Sequence, residues 1–176
     1  MREYLESKYN ICDEKISILD SSEFLCRELY RLNLSSDEVI LSYNHIKSLG
    51  SSTKIKNYIN KVLDDVNVLV FQNVLCELDY KDKIEILNNI KNKNITFINI
   101  TNDIEETLYF DRIIIIYNNK VICDGKKISV LNEEKLLKRL GYSLSFIIDL
   151  NRYMMDYNIT NKYYLSNEEL IEELWK

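Results

Sequence analysis

The sequence predicts an α/β protein: a mostly parallel sheet with helices on both faces and a helical C-terminal segment. Three observations predict it. Four apolar runs of four to six residues, rich in β-branched side chains, are too short for helices and read as buried strands. Because these runs are continuous and do not alternate, they favour a parallel sheet covered on both sides. Segments with a 3.6-residue apolar period separate them, and strands alternating with helices build a layered α/β fold. At 176 residues and 46% apolar content the chain can bury a real core in one domain.

The strand runs, in order, are Lys15-Ile16-Ser17-Ile18-Leu19, Val68-Leu69-Val70-Phe71, Ile95-Thr96-Phe97-Ile98-Asn99-Ile100 and Arg112-Ile113-Ile114-Ile115-Ile116-Tyr117. Phe24, Leu25, Leu29 and Leu32 fit one helix, and Ile55, Ile59, Val62 and Leu63 fit another. In the segment from Lys81 to Lys91 the spacing places Ile84, Leu87 and Ile90 on one helical face. Asn118-Asn119 joins the fourth run to Lys120-Val121-Ile122-Cys123, which predicts a hairpin. From Asn132 onward the chain reads helical, over Glu133 to Leu140, Ser145 to Tyr157 and Asn167 to Trp175. Ser166 ahead of Glu168 and Glu169 reads as an N-cap with an acidic first turn.

Composition removes whole classes of chemistry. The chain has three glycines, no proline and no alanine, a pattern that reads first as codon bias. Gly50, Gly125 and Gly141 lie too far apart for a phosphate-cradling loop, which needs clustered glycines so that backbone N–H groups can approach the phosphates. One histidine, His45, excludes a paired-histidine zinc site and reads as a surface residue. Cys12, Cys26, Cys76 and Cys123 never fall at C-x-x-C spacing and read as core or codon-driven residues of a reducing compartment. A net charge of -5 argues against non-specific nucleic-acid binding, which needs a basic footprint. The N-terminal residues lack the apolar core of a signal peptide, and no segment approaches the roughly 20 apolar residues of a membrane span.

An ordered set of segments resembles the ATP-binding-cassette (ABC) ATPases. Val68 to Phe71 followed by Gln72-Asn73 and then Leu78-Asp79 is similar to the Walker B strand and D-loop. Phe97 to Thr101 with Asn102-Asp103 resembles the switch strand, and Asp111-Arg112 through Gly125 resembles the strand and hairpin that follow. Leu137 to Phe146 and Tyr164 to Trp175 resemble the C-terminal extension of the A components of energy-coupling factor (ECF) transporters. The resemblance implies a reduced ABC core over residues 1–130 and a helical extension over 131–176 that helps two ATPases dimerise, with Leu170, Leu174 and Trp175 at the interface. Upstream, Leu49, Gly50, Ser51 and Ser52 stand where the family has its signature, and Tyr9 to Leu19 resembles strand, turn and strand. Where the phosphate loop should follow, Asp20, Ser21, Ser22 and Glu23 run straight into a helix. The β-rich subdomain that stacks on adenine has no counterpart segment.

Carried onto these positions, the resemblance implies lost chemistry. The Walker B aspartate that holds Mg²⁺ is replaced by Gln72, a neutral amide. The glutamate that positions water is replaced by Asn73, which takes up no proton near neutral pH. The switch histidine is replaced by Asn102, the loop lysine is gone, and Asp20 and Glu23 would repel a triphosphate. Asp79 alone is kept. Each such contact removed costs about 3 kcal/mol of transition-state stabilisation. A pseudo-ATPase is expected, with no tight binding of ATP or Mg²⁺. Read without the family, Gln72-Asn73 is a strand end, and Asn102-Asp103 and Asp79 cap helices. Trp175 reads as core or as dimer contact.

Two readings follow. In the first, the chain is an inactive ECF-type subunit at the cytoplasmic face of the membrane, paired with an ABC-type ATPase as homo- or heterodimer or touching a membrane coupling subunit. In the second it is a stand-alone interaction or regulatory protein, homodimeric through its C-terminal helices. Neither involves nucleic acid.

Overall fold

The computed structural model describes residues 1–144, 146–164 and 167–175. Six strands form one sheet in the order β2-β3-β4-β1-β5-β6. They are β1 Lys15–Leu19, β2 Glu38–Ser42, β3 Val68–Gln72, β4 Thr96–Thr101, β5 Arg112–Tyr117 and β6 Lys120–Lys126. The first five are parallel and β6 returns antiparallel to β5. The sheet is flanked by helices, as the four apolar runs predict. Each run is a strand, and β1 sits centrally between β4 and β5. Asn118 and Asn119 both take positive φ, 48° and 63°, the geometry a two-residue hairpin needs to match strand twist.

Alternation along the strands sorts side chains to two faces. Ile16, Ile18, Val68, Val70, Ile98, Ile100, Ile114 and Ile116 point one way, onto α1 (Arg2–Tyr9) and α2 (Phe24–Tyr30) through Leu5, Leu25 and Leu29. Leu69, Phe71 and Phe97 point the other way, onto α3 (Tyr43–Lys47), α4 (Ser52–Val62) and α5 (Tyr80–Lys91) through Ile46, Ile55, Ile59, Ile86 and Ile90. Phe97 packs edge-on against Phe71, ring centroids 4.9 Å apart, and stacks on Phe110 at 5.7 Å. On that same face Leu19, Ile113 and Ile115 carry α6 (Lys127–Leu131), α7 (Glu134–Arg139), α8 (Phe146–Asp156) and α9 (Asn167–Leu174). Buried Asn151 fastens this extension: its Nδ2 donates to Ile147 O and Tyr164 O, and its Oδ1 accepts from Tyr164 N at 2.8 Å. No helix among the described residues is long and apolar enough to cross a membrane.

Several expectations are corrected. Tyr9 to Leu19 is not strand, turn and strand: Tyr9 ends α1, Asn10 closes that helix in the left-handed region at φ 52°, and Cys12 is exposed in the turn before β1. The buried stripe of α5 is Asp82, Ile86 and Ile90, spaced by four, so Ile84 and Leu87 are only partly buried. Leu170, expected at an interface, is 4% exposed and packs in the chain's own core, whereas Leu174 and Trp175 are 46% and 85% exposed. The N-cap reading of Ser166 lies outside the described residues. Strand β2 and helices α1, α3 and α6 carry no strong periodic signal and are found only in the structure.

Candidate functional site

The parallel strands end on one edge, and the loops that leave it converge there, the edge at which open α/β sheets bind ligands. Glu23, Ser42, Tyr43, Asn44, Gln72, Asn73, Cys76 and Asn102 line a cavity of about 420 Å³ at this edge. Three residues matched to the Walker B and switch positions, Gln72, Asn73 and Asn102, thus meet one from the loop after β1, Glu23. Ser42, Tyr43, Asn44 and Cys76 were not expected. The first three arrive on β2 and α3, so missing β2 hid them.

Each element places its side chain for a local reason. Gln72 closes β3, paired with Ser42 on one side and Ile100 on the other. The chain then turns at Asn73, whose φ of 51° is one asparagine tolerates better than most residues. The Asn73 N–H donates to Ile100 O at 2.9 Å and its carbonyl accepts from Cys76 Sγ at 2.9 Å. Desolvation of the sulfur, and after it the charge of Glu106, pushes the Cys76 thiol up from its ordinary value, which favours the protonated form at neutral pH. After β4, Asp103 Oδ1 accepts from Glu105 N at 2.9 Å ahead of the short 3-10 turn Glu105–Tyr109, whose N-cap position is Ile104, and Asn102 is exposed at the rim.

The loop after β1 is closed on itself by Asp20. This carboxylate is 2% exposed. Its Oδ2 accepts from the buried Leu25 N–H at 2.8 Å, and its Oδ1 accepts from Ser22 N at 3.1 Å and Ser22 Oγ at 2.6 Å. Asp20 O accepts from Glu23 N, completing a turn in which Glu23 takes φ 55°. One of the orphan N–H groups that a helix N-terminus offers an anion, that of Leu25, is therefore directed at the chain's own carboxylate, together with the Ser22 N–H of the turn just before the helix. From the extension, Tyr142 lies beside this loop, and burial raises its hydroxyl above the ordinary phenol range while Ser21 acts against that. Sequence reasoning placed Asp20 as a repulsive charge; its role as an internal anion depends on geometry that no residue pattern displays.

The signature and D-loop positions meet elsewhere. Ser52 Oγ donates to Asp82 Oδ2 at 2.6 Å and accepts from Asp79 N at 3.0 Å. Lys56 Nζ lies 2.9 Å from Asp82 Oδ1. Leu49 packs on the core, while Gly50 and Ser51 are exposed before α4, Gly50 at φ 94°. Asp79 stands at the N-cap of α5 without a side-chain cap bond. Leu170, Leu174 and Trp175 lie in α9 and the turn after it and line no part of the cavity. Arg112, next to Asp111, is structural: it holds Asp124 through two bonds, of 2.9 and 2.8 Å, and reaches Glu14, Tyr9 O and Asn10 O, joining hairpin to α1.

No family model matches the chain. Among solved structures, a Clostridium perfringens protein described as cbiO1, part of an ABC transporter complex, is 15% identical with a TM-score of 0.47 over 73% of this chain and 83% of that one. Among curated proteins, the energy-coupling factor transporter ATP-binding protein of Malacoplasma penetrans is 28% identical over 134 residues, 73% of this chain and 47% of the relative. That of Listeria monocytogenes is 27% identical over 115 residues, 62% and 41%. The Mycoplasmopsis synoviae protein is 29% identical over 116 residues, 64% and 42%. The chain spans about half the length of the curated relatives it matches. With its flanked, mostly parallel sheet, the chain resembles in sequence the ATP-binding A components of energy-coupling factor transporters.

Proposed function

We propose that this chain is a catalytically silent counterpart of the ECF-type ATP-binding subunit and acts as a protein partner, either of an active ABC-type ATPase or of a membrane coupling subunit at the inner face of the membrane. The observation that carries this reading is Asp20. Its buried carboxylate accepts the Leu25 N–H in the first turn of α2 and the Ser22 N–H in the turn just before it, the place where the resembling family cradles phosphate. A triphosphate arriving there meets an anion instead of free donors. None of the residues lining the neighbouring cavity is a cation, and Gln72 and Asn73 offer neutral amides where Mg²⁺ prefers anionic oxygen. The residues present do not fit magnesium nucleotide, and no hydrolytic step is drawn through it.

Titration with labelled ATP and Mg²⁺ tests the silent site. Binding should not saturate below about 1 mM, equivalent to about −4 kcal/mol. Micromolar binding would overturn the reading. Co-expression with a full-length ECF ATPase and a membrane coupling subunit tests the partner role, which requires a stable complex with one of them.

A homodimeric interaction protein is the second reading, favoured by the apolar residues that the extension leaves exposed. Phe146, Tyr157, Ile171 and Trp175 are 71%, 75%, 53% and 85% exposed. Deleting residues 160–176 would test this poorly, because it removes Tyr164 and Leu170 from the core. Trp175→Lys with Ile171→Glu changes only exposed positions. If the extension makes a homodimer, this double variant runs as a monomer where the parent runs as a dimer; an unchanged mass sinks the second reading.

A further inference from the structure

At the opposite edge of the sheet from the candidate site, where the strands begin, lies a second cavity of about 300 Å³. Its apolar wall comes from Ile84 and Leu87 of α5, with Phe97 and Phe110 behind them. Ile84 and Leu87 are the two residues whose spacing predicts a core face, yet the packing turns Ile86 and Ile90 inward and leaves these two partly open. Around that wall stand Lys15, Lys91 and Lys127, against one carboxylate, Asp111.

Two of the three lysines commit a single donor, each to a backbone carbonyl. Lys127 Nζ donates to Leu108 O at 2.6 Å, and Lys15 Nζ donates to Lys93 O at 2.9 Å. A carbonyl satisfies one of the three N–H groups of an ammonium and none of its charge. Neither lysine, nor Lys91, has a carboxylate within ion-pair distance among the described residues. Burial, the largest influence, draws Lys127 below its ordinary range; Lys91 acts in the same direction, and Asp111 and Glu169 act against it. Lys15 and Lys127 are half-buried and Lys91 is exposed; a half-buried ammonium with no ion-paired carboxylate is costly, and an anion entering beside it lowers that cost. The apolar wall calls for a ligand body without polar atoms, and about 300 Å³ is the small end of ligand cavities.

We propose that this cavity binds a small amphipathic anion, an acyl or aryl body seated on Ile84, Leu87 and Phe110 with its carboxylate or phosphate among Lys15, Lys91 and Lys127. The anion could be supplied free or as part of a lipid, and the chemistry of the site is the same for both. The cavity shares no residue with the one at the opposite edge, so this inference stands or falls separately from the proposed function.

Amide NMR of the full chain titrated with octanoate tests it, with n-octanol as the neutral counterpart. Octanoate should shift residues 84–91 and 108–111 saturably, and octanol should bind about tenfold more weakly, the effect of one charge-assisted hydrogen bond. Lys91→Gln and Lys127→Met should each weaken octanoate about tenfold and leave octanol unchanged. Lys91 is exposed, so its variant keeps the fold even if Lys127→Met does not. Sedimentation with phosphatidylglycerol and phosphatidylcholine vesicles separates the sources. Retention on the anionic vesicles, released by octanoate, assigns a lipid; indifference to vesicles alongside octanoate binding assigns a free anion. The proposal is overturned by no saturable shift below about 10 mM octanoate, equal binding of octanol, or full octanoate affinity in Lys91→Gln.

Discussion

Replacing Asp20 by alanine removes the group that closes the loop after β1. The structure sets the magnitude. The Asp20 carboxylate is 2% exposed and accepts three hydrogen bonds, from Leu25 N, Ser22 N and Ser22 Oγ, at 2.8, 3.1 and 2.6 Å. Ser22 is exposed, so water can replace the carboxylate for both of its donors. Leu25 is fully buried, and its N–H is left without an acceptor at a cost of about 1–3 kcal/mol. Losing a helix-capping side chain typically costs about 1 kcal/mol, and the two figures overlap because Leu25 N–H is one of the capped donors. Asp20→Ala should therefore lose about 1–3 kcal/mol, which for a chain of this size lowers the unfolding temperature by about 2–12 °C. Asp20→Asn keeps one carbonyl oxygen for one of the two backbone donors and should lose about half as much. Urea unfolding followed by circular dichroism gives the number. A change in Asp20→Ala below about 0.5 kcal/mol, the size of an ordinary surface substitution, would show that the carboxylate does not hold this loop and would remove the basis for reading it as the occupant of the phosphate position.

Two further outcomes follow from the packing. Phe97→Ala empties the space between Phe71 and Phe110 and should cost about 3–5 kcal/mol by urea unfolding; a loss under about 1 kcal/mol would mean the aromatic cluster collapses into the gap. Asp82 is held below the ordinary carboxylate range first by the Ser52 hydroxyl and then by Lys56. A depressed folded value means its stabilisation is present at neutral pH, above the unfolded value, and is lost as pH falls through the folded one. The stability gap between parent and Asp82→Asn should therefore be widest above about pH 5 and close towards about pH 2, and a gap constant across that range would refute the linkage.

The sheet was legible because its strands are buried on both faces and so read as continuous apolar runs. β2 was not, because it is an edge strand with three apolar residues between Glu38 and Ser42, two of them only partly buried. α1 was hidden for a related reason: only Leu5 and Tyr9 of its eight residues are buried, too few to set a period. Asn10 at its end is the kind of residue that closes helices in the left-handed region and was the one available signal. At the candidate site, order along the chain was enough to bring Gln72, Asn73 and Asn102 together, since all three follow parallel strands. It gave no access to Ser52 and Asp79, twenty-seven positions apart, whose contact depends on how α4 lies against α5. Nor did it show that the face of α5 would be set by Asp82, Ile86 and Ile90. The apolar spacing of Ile84, Leu87 and Ile90 is equally regular, and only the docking partner decides between them.

The neutral residues at the strand ends suit the buried Asp20 in electrostatic terms. β4 lies between β3 and β1, so the ends of β3 and β1 are two strand spacings apart, about 10 Å. A carboxylate at position 72 would face the buried Asp20 at roughly that distance, a repulsion of about 1.7 kcal/mol at an effective dielectric near 20. In the resembling family a lysine and Mg²⁺ compensate the carboxylates of this edge. Here no lysine stands among the residues lining the cavity, and Glu23 already adds a negative charge to it. With Asp20 drawn in to satisfy the Leu25 N–H of α2, an acid at position 72 or 73 would be an uncompensated charge, whereas Gln72 and Asn73 carry none. Restoring acids through Gln72→Asp with Asn73→Glu should destabilise the fold by about 2–4 kcal/mol without producing hydrolysis, and destabilisation should shrink when Asp20→Asn is added. Additive losses in that cycle would show that the two strand ends do not sense each other.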